Sequence, residues 1–113
     1  MRSVIRSKIH KATVTEANIE YVGSIGIDQY LLDKAGFWPG EKVLISSLTS
    51  GARLESYIIT AERGSGEICM NGSAAHLIKA GEEIIIMGFE ITDKPVEAKV
   101  ILVDKNNKFV KYL

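Results

Sequence analysis

The run "EEIIIMGFEIT", Glu82 to Thr92, constrains this chain more than any other stretch. Ile84, Ile85, Ile86 and Met87 follow one another without a polar break. A half-exposed strand alternates polar and apolar residues, so this run reads as a strand buried on both faces. The segments around it are short and rich in β-branched residues. "KIHKATVTEANIEYV" reads as one or two strands. "EKVLISS", the turn "LTSGA" and "RLESYIITAE" read as a hairpin. "GEICMNG" is a short strand, and "KVILVDKNNKFVKYL" a final hairpin around Asn106-Asn107. Helix is scarce. "IDQYLLDKAGFWPG" reads as a short helix capped by Asp28, with Leu31, Leu32 and Ala35 on its apolar face and Gly36 and Pro39 ending it. "SAAHLIKAG" holds one or two helical turns. Six or more short strands with so little helix imply a small barrel or sandwich. Closing the sheet also removes edges that such apolar strands would leave adhesive.

The chain of 113 residues suits one domain, 1–113, with a core that needs no disulfide or metal staple. Fourteen basic and fourteen acidic residues cancel. That balance lacks the concentrated positive field of a nucleic-acid surface, so no nucleic-acid partner is expected. Cys69 is the one cysteine, which excludes an internal disulfide and fits a reducing cytoplasm. "MRSVIRSKIHKATV" has no apolar segment of the signal-peptide kind, and no apolar run is long enough to cross a bilayer. Two histidines and one cysteine give no metal-ligand spacing.

Gly23-Ser24 interrupts a β-like run just before the helix-like one. A Gly-Ser pair is ordinarily a turn. It also permits one backbone reaction, in which the Ser24 hydroxyl attacks the Gly23 carbonyl and turns an amide into an ester. Elimination then cuts the chain, and the dehydroalanine left at the new N-terminus hydrolyses to a pyruvoyl ketone. Glycine favours this because it blocks nothing and tolerates unusual backbone angles.

Five blocks at fixed order surround that pair: K-x-H at Lys8–His10, Y-x-G-S at Tyr21–Ser24 before Ile27-Asp28, R-x-x-S-Y at Arg53–Tyr57, E-R-G-S at Glu62–Ser65, and N-G-x-A-A at Asn71–Ala75. Together, from about Met1 to Phe89, they make the sequence resemble the pyruvoyl-dependent aspartate decarboxylases. The resemblance implies a mainly β fold, a six-stranded double-psi β-barrel with short helices. It implies a homotetrameric lyase that is made as a zymogen and cuts itself at Gly23-Ser24 into chains 1–23 and 24–113. It implies decarboxylation of L-aspartate to β-alanine for pantothenate biosynthesis. The cofactor would be a covalent pyruvoyl group from Ser24, forming a Schiff base with the substrate, with no metal and no pyridoxal phosphate. Whether self-cleavage needs an accessory maturation factor is left open by the sequence.

Residue by residue, the resemblance places Ser24 on the pyruvoyl precursor and Tyr57 on the proton donor. Gly72, Ser73 and Ala74 fall on the substrate-binding backbone, together with Ser56. Arg53 and Lys8 fall on the cations that face the substrate carboxylates. His10, Tyr21 and Asn71 fall on pocket or processing positions. The site would lie between subunits, with Arg53 and Tyr57 reaching across the interface. Two residues depart from the family pattern. Ser56 stands for threonine, which keeps the hydroxyl but loses the β-branch that fixes its rotamer. Ser73 stands for alanine.

Taken without the resemblance, these residues are unremarkable in kind. Arg53 is a solvated hairpin charge, Tyr57 a sheet aromatic, Cys69 a small buried hydrophobe and His76 a surface residue. The competing readings are a non-catalytic barrel that binds partners, such as a swapped-hairpin transcription factor, and a relative that folds but never cuts. The first needs a basic face that a neutral chain lacks.

Overall fold

A computed structural model describes all residues, 1–113. Its strands pair in the order β2-β6-β3-β5-β4-β7-β1-β8-β9. These are β1 (Arg2–Thr13), β2 (Glu16–Asn18), β3 (Ser24–Asp28), β4 (Lys42–Ser47), β5 (Arg53–Ala61), β6 (Ile68–Asn71), β7 (Glu83–Thr92), β8 (Lys99–Val103) and β9 (Phe109–Tyr112). The order looks open, yet β1 and β2 are one chain segment separated only by Val14 and Thr15. Val14 N–H donates to Glu82 O, beside β7, at 2.9 Å, and Thr15 N–H donates to Ile68 O of β6 at 2.8 Å. The Thr15 hydroxyl adds a bond to Ile68 O and accepts one from Ile68 N–H, each at 3.0 Å. β1/β2 therefore joins both ends of the order and closes six strands, β1/β2, β6, β3, β5, β4 and β7, into a ring. Two neighbours in the ring run parallel, β2 with β6 and β3 with β5, which requires crossing connections of the double-psi kind. The β8–β9 hairpin lies outside the ring, on β1.

The ring encloses the core. Ile9, Ile86 and Ile45 are wholly buried and face one another across β1, β7 and β4, and Ile25, Ile27, Ile58, Ile68 and Met70 fill the other side. Each such side chain stabilises the fold by about 1.5–3 kcal/mol. The helix α1 (Gln29–Ala35) forms as its signals predict: Asp28 accepts from Tyr30 N–H, Gly36 ends it at φ 80°, and Leu31, Leu32 and Ala35 are buried. The second helical stretch is a 3-10 turn, Gly72–His76.

One expectation fails. β7 is not buried on both faces: Ile84 and Ile86 point into the core, while Phe89 is 41% and Ile91 68% exposed. The physical reason is the barrel itself. Its wall is one layer thick, so each strand has one inner and one outer face. Asp28 caps the helix as expected, and the two residues before Gln29, Ile27 and Asp28, also belong to a strand. They end β3, whose five residues are all buried.

Asn107, the second residue of the "NN" turn, is buried at φ 58°. Its side chain acts as a backbone substitute. It accepts from Thr13 N–H at 2.7 Å and donates to Thr13 O and Gly66 O, each at 2.8 Å. Asn107→Ala leaves these three backbone groups without a partner and adds a left-handed alanine. The expected loss is about 2–4 kcal/mol, or roughly 10–20 °C in Tm, measured by thermal unfolding followed by circular dichroism.

Candidate active site

Ser24 opens β3 and is buried. Ile25 and Ile27 point inward, so Ser24 and Gly26 point to the outer face of the ring. The Ser24 hydroxyl donates to Val22 O at 2.9 Å and accepts from Asn71 Nδ2 at 3.1 Å. Asn71 sits opposite Ser24 in the β3–β6 ladder and is itself buried. With the proton on Val22 O and one lone pair on Asn71, the oxygen keeps one lone pair free.

The backbone freedom expected of Gly23 belongs instead to Gly72. Gly23 lies outside the positive-φ region, and a Cβ added there would meet nothing within 4 Å. Gly72 has φ +73°, and a Cβ there would lie 2.7 Å from Gly23 Cα and 2.9 Å from Gly23 N. Only glycine fits where the 72–76 turn presses on the Gly23 backbone.

Tyr57 reaches the same place by register. β3 and β5 pair in parallel with Ile25 opposite Ile58, so Tyr57 stands beside Ser24 on the adjacent strand, about 5 Å away between backbones. Its phenol is on the outer face and 40% exposed. Within one chain, then, the strand that carries Tyr57 lies next to the strand that carries Ser24. Ser56 lies one residue before Tyr57 and two before the buried Ile58 on β5. Tyr21 is half exposed and lines an outer cavity of about 290 Å³ with Asn71, Cys69, Gly26 and Glu16. Ser73 is exposed and Ala74 packs partly against the core.

The cations lie further off. Arg53 is on the outer face of β5, four residues and about 13 Å along the strand from Tyr57. Its guanidinium touches only Ser46 Oγ, at 3.5 Å. Lys8 lies on β1, which the ring separates from β3 by β6 on one side and by β7, β4 and β5 on the other, and it makes no hydrogen bond or ion pair with Ser24. His10 pairs with Leu102 of β8, and its Nδ1 is buried with no partner. Burial, and then the Lys8 and Lys11 ammonium groups, hold its imidazole below the ordinary range, so it is neutral at neutral pH. One chain thus assembles Gly23, Ser24, Asn71 and Gly72, with Tyr21 lining a cavity shared with Asn71 and Tyr57 on the strand next to Ser24. It does not bring Lys8, His10 or Arg53 into contact with Ser24.

Cys69 shares the outer cavity with Asn71, and its Sγ lies 3.4 Å from Glu16 Oε2. Burial first, then the Glu16 and Glu67 carboxylates, push its thiol up to about 12. At pH 8 only about one thiol in ten thousand is ionised. Iodoacetamide is therefore expected to leave native protein unlabelled over hours and to label denatured protein within minutes, as read by mass spectrometry. His76 is exposed, as its neighbours suggest.

No group of three or more histidine, cysteine, aspartate or glutamate side chains is placed to hold a metal ion. No helix is long and apolar enough to cross a membrane.

Comparison with known proteins places this geometry in a family. The sequence pattern described as "Aspartate decarboxylase" matches residues 1–110. An aspartate 1-decarboxylase of Caldicellulosiruptor saccharolyticus is 49% identical over 112 residues, covering 96% of this chain and 88% of that one. Those of Neisseria meningitidis serogroup C and Corynebacterium efficiens are 50% and 47% identical, each over at least 95% of this chain and 84% of their own. Among solved structures, the computationally designed protein msDPBB_sym2 aligns with a TM-score of 0.48 at 20% identity, covering 77% of this chain and 99% of its own. With nearly its whole length matched and Ser24 held at the Gly23-Ser24 bond between Val22, Asn71 and Gly72, the chain belongs to the aspartate decarboxylase family.

Proposed function

We propose that this chain cuts itself between Gly23 and Ser24 and then decarboxylates L-aspartate to β-alanine and CO2, supplying pantothenate and coenzyme A synthesis in the cytoplasm. The observation that carries this reading is the buried Ser24 hydroxyl, with a free lone pair, next to a Gly23 whose would-be side-chain space is empty. The hydroxyl oxygen bonds to the Gly23 carbonyl carbon, the C–N bond breaks, and the hydroxyl proton passes to the nitrogen. Loss of the Ser24 α-proton then expels residues 1–23 as a carboxylate and leaves dehydroalanine on residues 24–113. Water adds, ammonia leaves, and a ketone remains.

The residues around Ser24 suit such a group. The buried Asn71 amide already donates to the Ser24 oxygen, and the Gly72 turn packs tightly against this segment. The pyruvoyl group supplies an electron sink for the carbanion that decarboxylation creates. Tyr57, beside Ser24, delivers a proton to that carbon as general acid. Arg53 and Lys8 hold the carboxylate that stays. The one that leaves is held weakly, since ground-state binding there opposes the reaction. Gly72, Ser73 and Ala74 offer backbone groups to the substrate, with Ser56 beside them. Tyr21 and the neutral His10 border the pocket. In this scheme the Ser56 hydroxyl also assists the acyl shift at the Gly23 carbonyl.

The site is completed by a homotetramer. Two observations support this: within its own chain Ser24 bonds only to Val22 and Asn71 and to neither Lys8 nor Arg53, and Phe89 and Ile91 leave an apolar outer face uncovered. A maturation factor is not required by this scheme but is compatible with it. Ser24→Ala and Lys8→Ala subunits, each inactive alone, are expected to regain part of the parent activity when co-assembled. Failure to regain any, or an active monomer by light scattering, would contradict the shared site. The reading as a whole is tested by following aspartate and β-alanine by NMR. Release of β-alanine by the cut protein is expected, and a cut protein that leaves aspartate unchanged would overturn it.

A further inference from the structure

The outer face of the barrel next to Tyr57 is ordered in three cross-strand rows. Lys42 stands opposite Tyr57. Glu55 follows with Leu44, Met87 and Lys8, and Arg53 with Ser46 and Ile85. Glu55 is the one carboxylate among these positions, and it lies between Tyr57 and Arg53, about 7 Å along the strand from each. That is an unfavourable place for a negative charge if the substrate carries two carboxylates. Lys42 Nζ lies 3.3 Å from Glu55 Oε2. Both side chains are well exposed, 73% and 61%, so the pair contributes little to holding the fold. It does form a wall. Lys42 and Glu55 line a cavity of about 300 Å³ with Ser56 and Tyr57, and on their other side a cavity of about 320 Å³ with Leu44, Phe89 and Ile91.

We propose that Lys42 is an affinity-setting residue: by pairing with Glu55 it masks the one negative charge between Tyr57 and Arg53, and so tunes the site for acidic amino acids. This rests on the reading of Tyr57 and Arg53 given above. Lys42 touches no reacting atom in this account. Its loss unmasks Glu55, and two like unit charges about 7 Å apart in water repel enough to weaken binding roughly threefold for each carboxylate faced. The effect is electrostatic and exposed, so salt reduces it.

The test compares the parent, Lys42→Met, Glu55→Gln and the double variant. Cleavage is read by intact mass, and aspartate kinetics at low and high salt. The expected result is normal cleavage in all four. Lys42→Met raises KM about three- to tenfold with kcat within about twofold, less so at high salt. Adding Glu55→Gln to Lys42→Met returns KM to near the parent value. A fall in kcat at constant KM, failure of the double variant to restore KM, or loss of cleavage in Lys42→Met alone each overturns the proposal while leaving aspartate decarboxylation standing. A parent that cuts but does not turn over aspartate removes both.

Discussion

Ser24→Ala is expected to remain a single full-length chain and to show no aspartate turnover. The hydroxyl belongs to the residue that follows the Gly23 carbonyl in the chain, and alanine removes it while keeping the Cβ. The fold survives the change. Ser24 holds the barrel through its backbone ladder with Asn71, and the two side-chain bonds lost are those to Val22 O and from Asn71 Nδ2. Leaving the buried Asn71 amide without its acceptor costs about 1–3 kcal/mol, within what a domain of this size tolerates. Intact-protein mass spectrometry after prolonged warm incubation, together with circular dichroism, reads both outcomes. A variant cut at the same bond would mean that an outside protease, not Ser24, makes the break.

Tyr57→Phe is expected to cut as the parent does and then to lose about 100- to 10,000-fold in turnover number, the usual range for removing a general acid. The loss falls on kcat because the proton is delivered after binding, so KM stays near the parent value. The parallel register of β3 and β5 is the reason to expect this of Tyr57 rather than of another tyrosine. Tyr21 lines the cavity that holds Asn71 and Cys69, and Tyr112 donates its hydroxyl to Lys34 O at the end of α1. Steady-state kinetics on fully cut protein separates the two constants. An equal fall in cleavage and turnover would assign Tyr57 to maturation instead.

The sequence made the local parts of the fold legible. Asp28 and Gly36 bound the helix because a cap is a short-range interaction. The β4–β5 and β8–β9 hairpins announced themselves by turn residues between apolar runs. What stayed hidden depends on distant partners. "SIGID" carries a glycine at its centre and sits against a strong helix signal, so its strand character comes from β5 and β6 on either side. The both-face burial expected of β7 failed because an apolar run does not reveal how many layers will cover it. Asn107 joins Thr13 across 94 positions of sequence, and nothing near "NN" points there. The site divides the same way. Its residue types were readable as a family pattern around Gly23-Ser24. That Gly72, not Gly23, takes the left-handed backbone, and that Tyr57 stands beside Ser24 in the same chain, follow only from the closed ring.

The central claim is that Ser24 converts its own peptide bond into the catalytic ketone, and the mass of the purified protein tests it most directly. The account predicts two species, residues 1–23 and residues 24–113. The larger should be lighter than its encoded sequence by the mass of ammonia, and aspartate turnover should rise with its fraction. A single full-length species without turnover, both alone and after incubation with cell extract, would contradict it.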